Sequence, residues 1–431
     1  MKRLIAFALA LASVVASAAP EVQIQSFTQA ADRTVTLTYT LAGRAIVTLS
    51  AEVEVDGAWQ PLDDAALWCV SGDVNREVAA TSAGEVRTIE WKPDYTQVGV
   101  SLGTANIRPI LMSWSTDDPP DYMVVDMSES STDRVRYYTS TNALPGGLFG
   151  NVAYRTTLLV LRKVPAKGVT WTMGSVSEDG RNPDAASGTD PEKTHEVVFD
   201  SNYWMAIFPT TQGQWAMIKG TERGATHTEE PRLLRPMDSI SYCQVRENTS
   251  KTENSTYQYP AGPHPDSFLG VLRRRTGLDF DLPSDAEWEY ACRAGHGEGL
   301  WGNGKVYENR NLRDDRVPGC YKNNQPTTTA TTAPVGSYEP NSWGIYDMHG
   351  NVFEWCLDWY KVDITALGGV INTASGNIYN SNGAKMRIRR GGNYGLPVTF
   401  LRSACRYWDP STSDNQANGF RVKLGAAISA Q

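Results

Sequence analysis

The stretch NSWGIYDMHGNVFEW, residues 341–355, is the most informative part of this chain for both its fold and its function. Within it, Asp347 and Glu354 place two carboxylates on either side of a tight Gly-Asn turn. Carboxylate and backbone carbonyl oxygens are the hard ligands that calcium prefers in proteins. The alternative is a turn whose acidic side chains accept hydrogen bonds from local amides. The spacing alone leaves both possibilities open.

The beginning of the chain has the layout of a secretory signal peptide. Lys2 and Arg3 precede an apolar run over residues 4–15, and the small residues Ala-Ser-Ala follow at 16–18. This run is shorter than the ~18 to 20 residues that a membrane-spanning helix needs. We therefore predict a signal peptide at residues 1–18, cleavage before Ala19, a secreted or periplasmic mature protein and no transmembrane segment.

The composition argues against several classes of function. Aspartate and glutamate outnumber lysine and arginine by 48 to 40, and the mature chain has no basic run that would neutralise a phosphate backbone. Nucleic acid is therefore not an expected partner. The six cysteines include no CxxC pair, which argues against a zinc ribbon or a thioredoxin-like site. A nucleophile elbow and a P-loop are also missing from the sequence.

The two halves of the chain differ in texture. Residues 22–112 contain short alternating runs such as RTVTLTYTL, which predict strands, and Asp56-Gly57 predicts a hairpin turn. We interpret residues 19–164 as an immunoglobulin- or fibronectin-like β-sandwich module with a connecting segment. Residues 165–425 are rich in Gly, Asn, Pro and Trp and predict an α+β domain with little regular structure. Residues 426–431 form a C-terminal tail.

One helix of the second half is well specified by its sequence. Ser284 and Glu287 form a capping box, and Gly295 is the predicted stop. Residues 288, 291 and 292 then share a buried face. Glu287 and Glu289, two residues apart, point to different sides of this helix and do not form a catalytic pair.

The histidines do not form a metal-binding pattern. None of the five lies four residues from another histidine or an acidic ligand on a predicted helix. We interpret His195 and His349 as structural residues.

Six motifs occur in a fixed order along the second half of the chain. They are LPSDAEWEYACRAG (282–295), LWGNG (300–304), APVGSYEPNSWGIYDMHGNVFEWCLDWY (333–360), RIRRGGNY (387–394), LRSACR (401–406) and NGFRV (418–422). Together they resemble the formylglycine-generating enzyme family, also called sulfatase-modifying factors. The resemblance covers about residues 165–425 and leaves out the N-terminal module. It implies a variant of the C-type lectin fold.

The best-known members of this family oxidise a sulfatase cysteine to formylglycine with copper and oxygen. They use a pair of cysteines that follows the RRGG-type turn, and soft thiolates suit Cu(I). The corresponding segment here, NYGLPVTFLR at 393–402, contains no cysteine, so copper is not expected. An iron-dependent branch of the family needs a His-rich helical domain upstream, but no histidine precedes His195. Cys405 is the remaining candidate for a catalytic thiol.

The resemblance also implies roles for individual residues. It assigns calcium to the side chains of Asp347 and Glu354 and to the carbonyls of Gly350 and Val352. A second calcium site would use Asn311, but Gln-Pro-Thr stands at 325–327, where its aspartate is expected.

Two further implications concern the C-terminal segment. Cys292 matches a position that is disulfide-bonded in some members, which implies a bridge to Cys405; the alternatives are a free buried thiol and a reactive one. A ligand groove is implied at Tyr394, Arg402, Arg406, Trp408 and Arg421, unless these side chains form buried ion pairs and stacks.

We therefore expect an exported protein that uses this domain, without copper chemistry, to recognise a protein or glycan. One alternative is an oxidoreductase or other enzyme of the family with altered chemistry. Another is a variable ligand-binding protein with a C-type-lectin fold, because residues 393–418 lie where such proteins diversify.

Overall fold

The computed structural model describes residues 19–92, 102, 106–129, 133–175, 192–220, 227, 229–296, 319–321, 331–360 and 386–425. The predicted signal peptide, the C-terminal tail and Asn311 lie outside these residues. The chain divides into two compact units, Met1–Pro119 and Pro120–Gln431. Among the described helices, none is long and apolar enough to cross a membrane.

Two antiparallel sheets make up the first unit. The first sheet has the order β1 (Val22–Gln29), β2 (Val35–Leu41), β7 (Arg87–Trp91), β5 (Val70–Gly72). In the second, β3 (Ala45–Val55) pairs with β4 (Ala58–Pro61), β6 (Arg76–Val78) and β8 (Ile107–Trp114). Leu37, Val47 and Ile89, which come from both sheets, share one buried cluster, as in a sandwich. Asp56 and Gly57 both have positive φ, which confirms the predicted hairpin turn.

The boundary between the units lies earlier than the sequence predicted. In the second unit, a six-stranded sheet has the order β10 (Val135–Tyr138), β9 (Tyr122–Asp126), β11 (Leu158–Val164), β14 (Tyr203–Ala206), β20 (Lys423–Gly425), β15 (Phe280–Asp281). Because β9 and β11 pair within this sheet, residues 120–164 belong to the second unit and not to the β-sandwich. The division at Pro119-Pro120 agrees with the break that consecutive prolines impose on a strand.

The second unit contains two smaller sheets and three α-helices among its described residues. β12 (Thr170–Met173) pairs with β13 (His195–Val198), and a four-stranded sheet has the order β18 (Tyr407–Pro410), β17 (Met386–Arg390), β16 (Phe353–Trp359), β19 (Asn418–Gly419). The helices are α1 (Gln212–Lys219), α2 (Phe268–Thr276) and α3 (Asp285–Arg293), and Cys243–Glu247 forms a π-helical turn. This mixture of short strands and few helices confirms the α+β class.

The best-specified helix forms as its sequence predicts. At the start of α3, Ser284 Oγ accepts a hydrogen bond from the Glu287 amide, and the Glu287 carboxylate accepts one from the Ser284 amide. The helix ends at Arg293, since Ala294 and Gly295 both have positive φ. Trp288, Ala291 and Cys292 are fully buried, which confirms the predicted inward face.

Candidate functional site

The stretch 341–355 forms an irregular loop that leads into β16. Asp347, Gly350 and Asn351 have φ values of 57°, 95° and 62°, so the backbone turns sharply within five residues. At Gly350 a Cβ atom would lie 2.1 Å from the Cys320 carbonyl oxygen, so a larger residue cannot be accommodated there. The loop places the carboxylates of Asp347 and Glu354 in the interior of the domain, where only 2% and 1% of these residues is exposed.

Asp347 has one oxygen with a partner and one without. Its Oδ2 accepts a hydrogen bond of 2.7 Å from the Gly336 amide, whereas Oδ1 has no hydrogen-bond partner among the described residues. Burial raises the pKa of Asp347 to about 6, and the nearby Glu354 carboxylate adds to this effect. A buried carboxylate oxygen without a donor is costly, and a cation would relieve that cost.

Glu354 is already neutralised by protein groups. Arg421 donates to it from Nε at 2.6 Å and from Nη2 at 2.7 Å, and Trp288 Nε1 donates at 2.6 Å. Its Oε1 accepts only the Arg421 Nη2 bond among the described residues, which leaves lone-pair capacity on that oxygen. The donor set therefore fits calcium through the Asp347 Oδ1 atom, while Glu354 would be shared between a cation and Arg421.

The three arginines predicted for a ligand groove are buried in ion pairs. Arg402 binds Glu192 at 2.7 and 3.0 Å, Arg406 binds Asp285 at 2.8 Å, and Arg421 binds Glu354. At most 2% of each arginine is exposed. The groove interpretation of these three residues is therefore wrong, because their guanidinium groups are committed within the domain.

The two aromatic residues of the predicted groove are also packed. Trp408 stacks on Tyr360 with ring centroids 4.4 Å apart and remains partly exposed. Tyr394 is buried, and its ring meets the edge of His227 with centroids 4.6 Å apart. Of the five residues of the predicted groove, Trp408 alone is partly exposed and could contact a ligand.

The predicted bridge between Cys292 and Cys405 is not present, and all cysteines in the described residues are free thiols. The Cys292 sulfur lies 3.5 Å from Ser403 Oγ and 3.7 Å from His349 Nε2. The Cys405 sulfur instead lies 3.2 Å from Arg402 Nη2. Ser403, two residues before Cys405, thus occupies the place opposite Cys292, and a serine cannot complete a disulfide.

Residues 162–425 match the sulfatase-modifying factor enzyme 1-like domain family. The chain belongs to this family. The formylglycine-generating enzyme of Bos taurus is 32% identical over 328 residues, which cover 68% of this chain and 81% of that protein. The formylglycine-generating enzyme of Mus musculus is 32% identical over 239 residues, and this chain spans only 52% of its length.

A solved structure also resembles the chain. PvdO from Pseudomonas aeruginosa is 24% identical, with a TM-score of 0.45 over 62% of this chain and 94% of that one.

The family domain contains a buried network that the sequence analysis missed. Arg390 pairs with both Asp285 and Glu289 of α3, and Arg406 pairs with Asp285 from the other side. The arginines Arg390 and Arg406 keep the pKa of Asp285 below its ordinary value despite burial. Nothing in the local spacing of Asp285 and Glu289 indicates partners more than a hundred residues away. The network holds α3 against β17, and it explains why Glu289 is buried.

His349, the histidine of the stretch 341–355, is a structural residue, as its sequence context indicated. His349 is 2% exposed, its Nδ1 lies 2.8 Å from the Leu401 carbonyl oxygen, and burial lowers its pKa to about 4. A neutral imidazole in this position links the motif loop to Leu401. His195 lies on β13 in the two-stranded sheet. Among the described residues, no three His, Cys, Asp or Glu side chains lie close enough together to hold a metal ion.

Both thiols of the predicted bridge are expected to resist alkylation in the folded protein. Burial raises the pKa of Cys292 and of Cys405 to about 12, so neither forms a thiolate at neutral pH. Iodoacetamide followed by peptide mass mapping should label exposed Cys69 in the native protein, and the two buried thiols only after unfolding without reductant. Labelling that requires reductant would establish a disulfide, and rapid native labelling of Cys405 would establish a reactive thiol.

Proposed function

We propose that this chain is an exported recognition protein that has kept the sulfatase-modifying factor scaffold without copper-dependent oxidation of cysteine. The observation that carries the proposal is the composition of residues 393–402, which follow the RRGG turn and contain no cysteine. Thiolates are the ligands that Cu(I) requires for that chemistry. Export rests on the signal-peptide layout of residues 1–18.

The thiol nearest to that segment in sequence does not replace the missing pair. Cys405 is fully buried, and Arg402 Nη2 approaches its sulfur. Burial raises the pKa of this thiol to about 12, and the guanidinium of Arg402 offsets only part of that effect. A protonated, single thiol enclosed by an ion pair is a poor ligand for copper.

Calcium has a structural role in this proposal. Asp347 would bind it through Oδ1, with the carbonyls of Gly350 and Val352 and an oxygen of Glu354 completing the protein ligands. Such an ion would compensate the buried negative charge of Asp347 and hold the loop at 347–354 in place. It would not contact the recognised molecule.

The loss of copper chemistry predicts that the mature chain binds no Cu(I) tightly. In a competition with a chromophoric Cu(I) chelator, we expect the wild-type protein and a Cys405→Ser variant to leave the chelator spectrum unchanged. The bovine formylglycine-generating enzyme provides the positive control. Withdrawal of one equivalent of Cu(I) from the chelator by the wild-type chain, but not by the variant, would contradict the proposal.

Recognition itself is tested by direct binding of the mature chain to arrays of glycans and of purified extracellular proteins. We expect saturable binding that persists after copper has been removed and in the Cys405→Ser variant. Loss of binding in that variant would indicate thiol chemistry in place of recognition.

A further inference from the structure

The second sheet of the first unit has an apolar outer face. Antiparallel sheets of a sandwich usually alternate between apolar residues that face the core and polar residues that face solvent. On β8, Ile107 and Leu111 follow this rule on the inner face, since both pack with the buried clusters between the two sheets. Alternate residues point to opposite faces of a strand, so the outer positions of β8 are Arg108, Ile110, Met112 and Trp114. Three of these four residues are apolar.

The outer side chains of β8 lie along the sheet and remain accessible to solvent. Met112 is 36% exposed. Trp114 lies across the sheet, because its Nε1 donates a hydrogen bond of 2.9 Å to Thr48 Oγ1 on β3. At the other end of the strand, Arg108 Nε donates to Glu52 on β3 at 2.7 Å. Residues 108, 110, 112 and 114, which we call the β8 strip, therefore run from a cation to an indole through two aliphatic side chains.

The apolar outer face is specific to this sheet. On the first sheet, the residues that face outward are polar, namely Thr36, Thr38 and Thr40 on β2 and Thr88 and Glu90 on β7. On the second sheet, Trp59 of β4 is 39% exposed and lies 4.7 Å below the Arg108 guanidinium, which extends the apolar face beyond β8. Large apolar side chains that are exposed together on one face indicate an interaction surface.

The β8 strip is complementary to a second copy of itself. When two strips face each other in antiparallel directions about a twofold axis at Leu111, Arg108 of one chain lies opposite Trp114 of the other. This contact occurs twice and places a guanidinium over an indole, which is a favourable cation–π arrangement. Between the two contacts, Ile110 lies opposite Met112, and both are buried from water. A parallel arrangement would instead place the two Arg108 side chains against each other.

We propose that the mature protein forms a twofold dimer in which the β8 strips of two copies pack face to face. A second copy of this chain is thus the partner that covers the apolar outer face. Because the strip contains few residues, the contact belongs to the small end of specific interfaces, and the dimer dissociates on dilution. This inference is independent of the ligand and of the copper chemistry of the second unit.

The first test measures the mass of the full mature chain by sedimentation equilibrium, in a dilution series from high micromolar to nanomolar concentration. We expect a dimer that dissociates to a monomer on dilution. In Met112→Glu a carboxylate faces the apolar Ile110 of the other copy, so the dissociation constant should rise by about tenfold or more. Thr88→Glu adds the same charge to the exposed outer face of the first sheet and should leave the dissociation constant unchanged.

Disulfide trapping tests the register of the two strips and does not rely on a disruptive charge. Arg108→Cys and Trp114→Cys are made in separate chains, each with Cys69→Ser to remove the exposed native thiol. In the antiparallel dimer, a mixture of the two chains brings the introduced cysteines face to face. In either chain alone, the introduced cysteines lie about 20 Å apart, because six residues separate them along the strand direction. We expect oxidation to cross-link the mixture and neither chain alone.

Three results would overturn the proposal. The first is a monomer at every concentration of the dilution series. The second is dimerisation of Met112→Glu with the wild-type dissociation constant, which would place the interface elsewhere. The third is cross-linking of Arg108→Cys with itself, which would contradict the antiparallel register.

Discussion

Replacing Arg421 by methionine is expected to destabilise the second unit by about 3 to 5 kcal/mol, because it leaves the Glu354 carboxylate buried without its cation. Arg421 is 0% exposed and donates to Glu354 through two nitrogens. It also donates to the carbonyls of Ala206 and Tyr346 at 2.9 Å, so the same side chain joins β14 to the motif loop. Urea denaturation followed by tryptophan fluorescence measures the change.

A double-mutant cycle separates the ion pair from a loss of packing. The variant combining Glu354→Gln with Arg421→Met should be less destabilised than Arg421→Met alone, because no unpaired charge remains. Arg274→Met, on the exposed face of α2, is the control and should change the free energy of unfolding by less than about 0.5 kcal/mol. Additive effects of the two core substitutions would show that the Glu354–Arg421 pair is not coupled.

Calcium is expected to stabilise the protein strongly at neutral pH and little at pH 5. A ligand at one hundred times its Kd adds about 2.7 kcal/mol to the free energy of unfolding. Asp347 must be ionised to bind the ion, and its pKa is raised to about 6 by burial. When a chelator has removed calcium, the folded protein binds the proton of the Asp347 carboxyl more tightly than the unfolded chain does. The stabilisation from protonation is therefore complete below pH 3.8 and is lost as the pH rises to about 6.

Differential scanning calorimetry with calcium or with EDTA, at pH 7.5 and at pH 5, measures this dependence. Asp347→Asn should abolish the calcium-dependent rise in Tm at both pH values, and exposed Asp266→Asn should retain the wild-type response. An equal rise in Tm for wild type and Asp347→Asn would place calcium elsewhere. No rise in either protein would argue against calcium binding altogether.

Local sequence was sufficient to predict much of the fold. The Ser284–Glu287 capping box and the Asp56-Gly57 turn each depend on residues a few positions apart, and both form as expected. The domain boundary was misplaced because strand patterns show that β9 and β11 exist but not which sheet they join. The partner of β11 in that unit, β14, lies about forty residues beyond it in sequence, and β9 joins the same sheet through β11.

The site was less predictable because its contacts connect distant segments. Glu192 and Arg402 are separated by 210 residues, yet they form one buried ion pair. From sequence alone, an arginine that faces a ligand cannot be distinguished from one that pairs with a buried carboxylate. The predicted ligand groove therefore included arginines that are buried in ion pairs. The predicted Cys292–Cys405 disulfide is absent for a related reason. A shift of two positions along the chain decides whether a thiol or the Ser403 hydroxyl lies against Cys292.

The most direct test of the account is turnover of a peptide that contains a sulfatase-type cysteine, by the purified mature chain with copper, oxygen and a thiol reductant. Mass spectrometry distinguishes the cysteine from formylglycine, and the bovine formylglycine-generating enzyme under the same conditions is the positive control. We predict no conversion above that of a reaction without protein. Copper-dependent formation of formylglycine by this chain would contradict the claim that its scaffold has been separated from the oxidase chemistry.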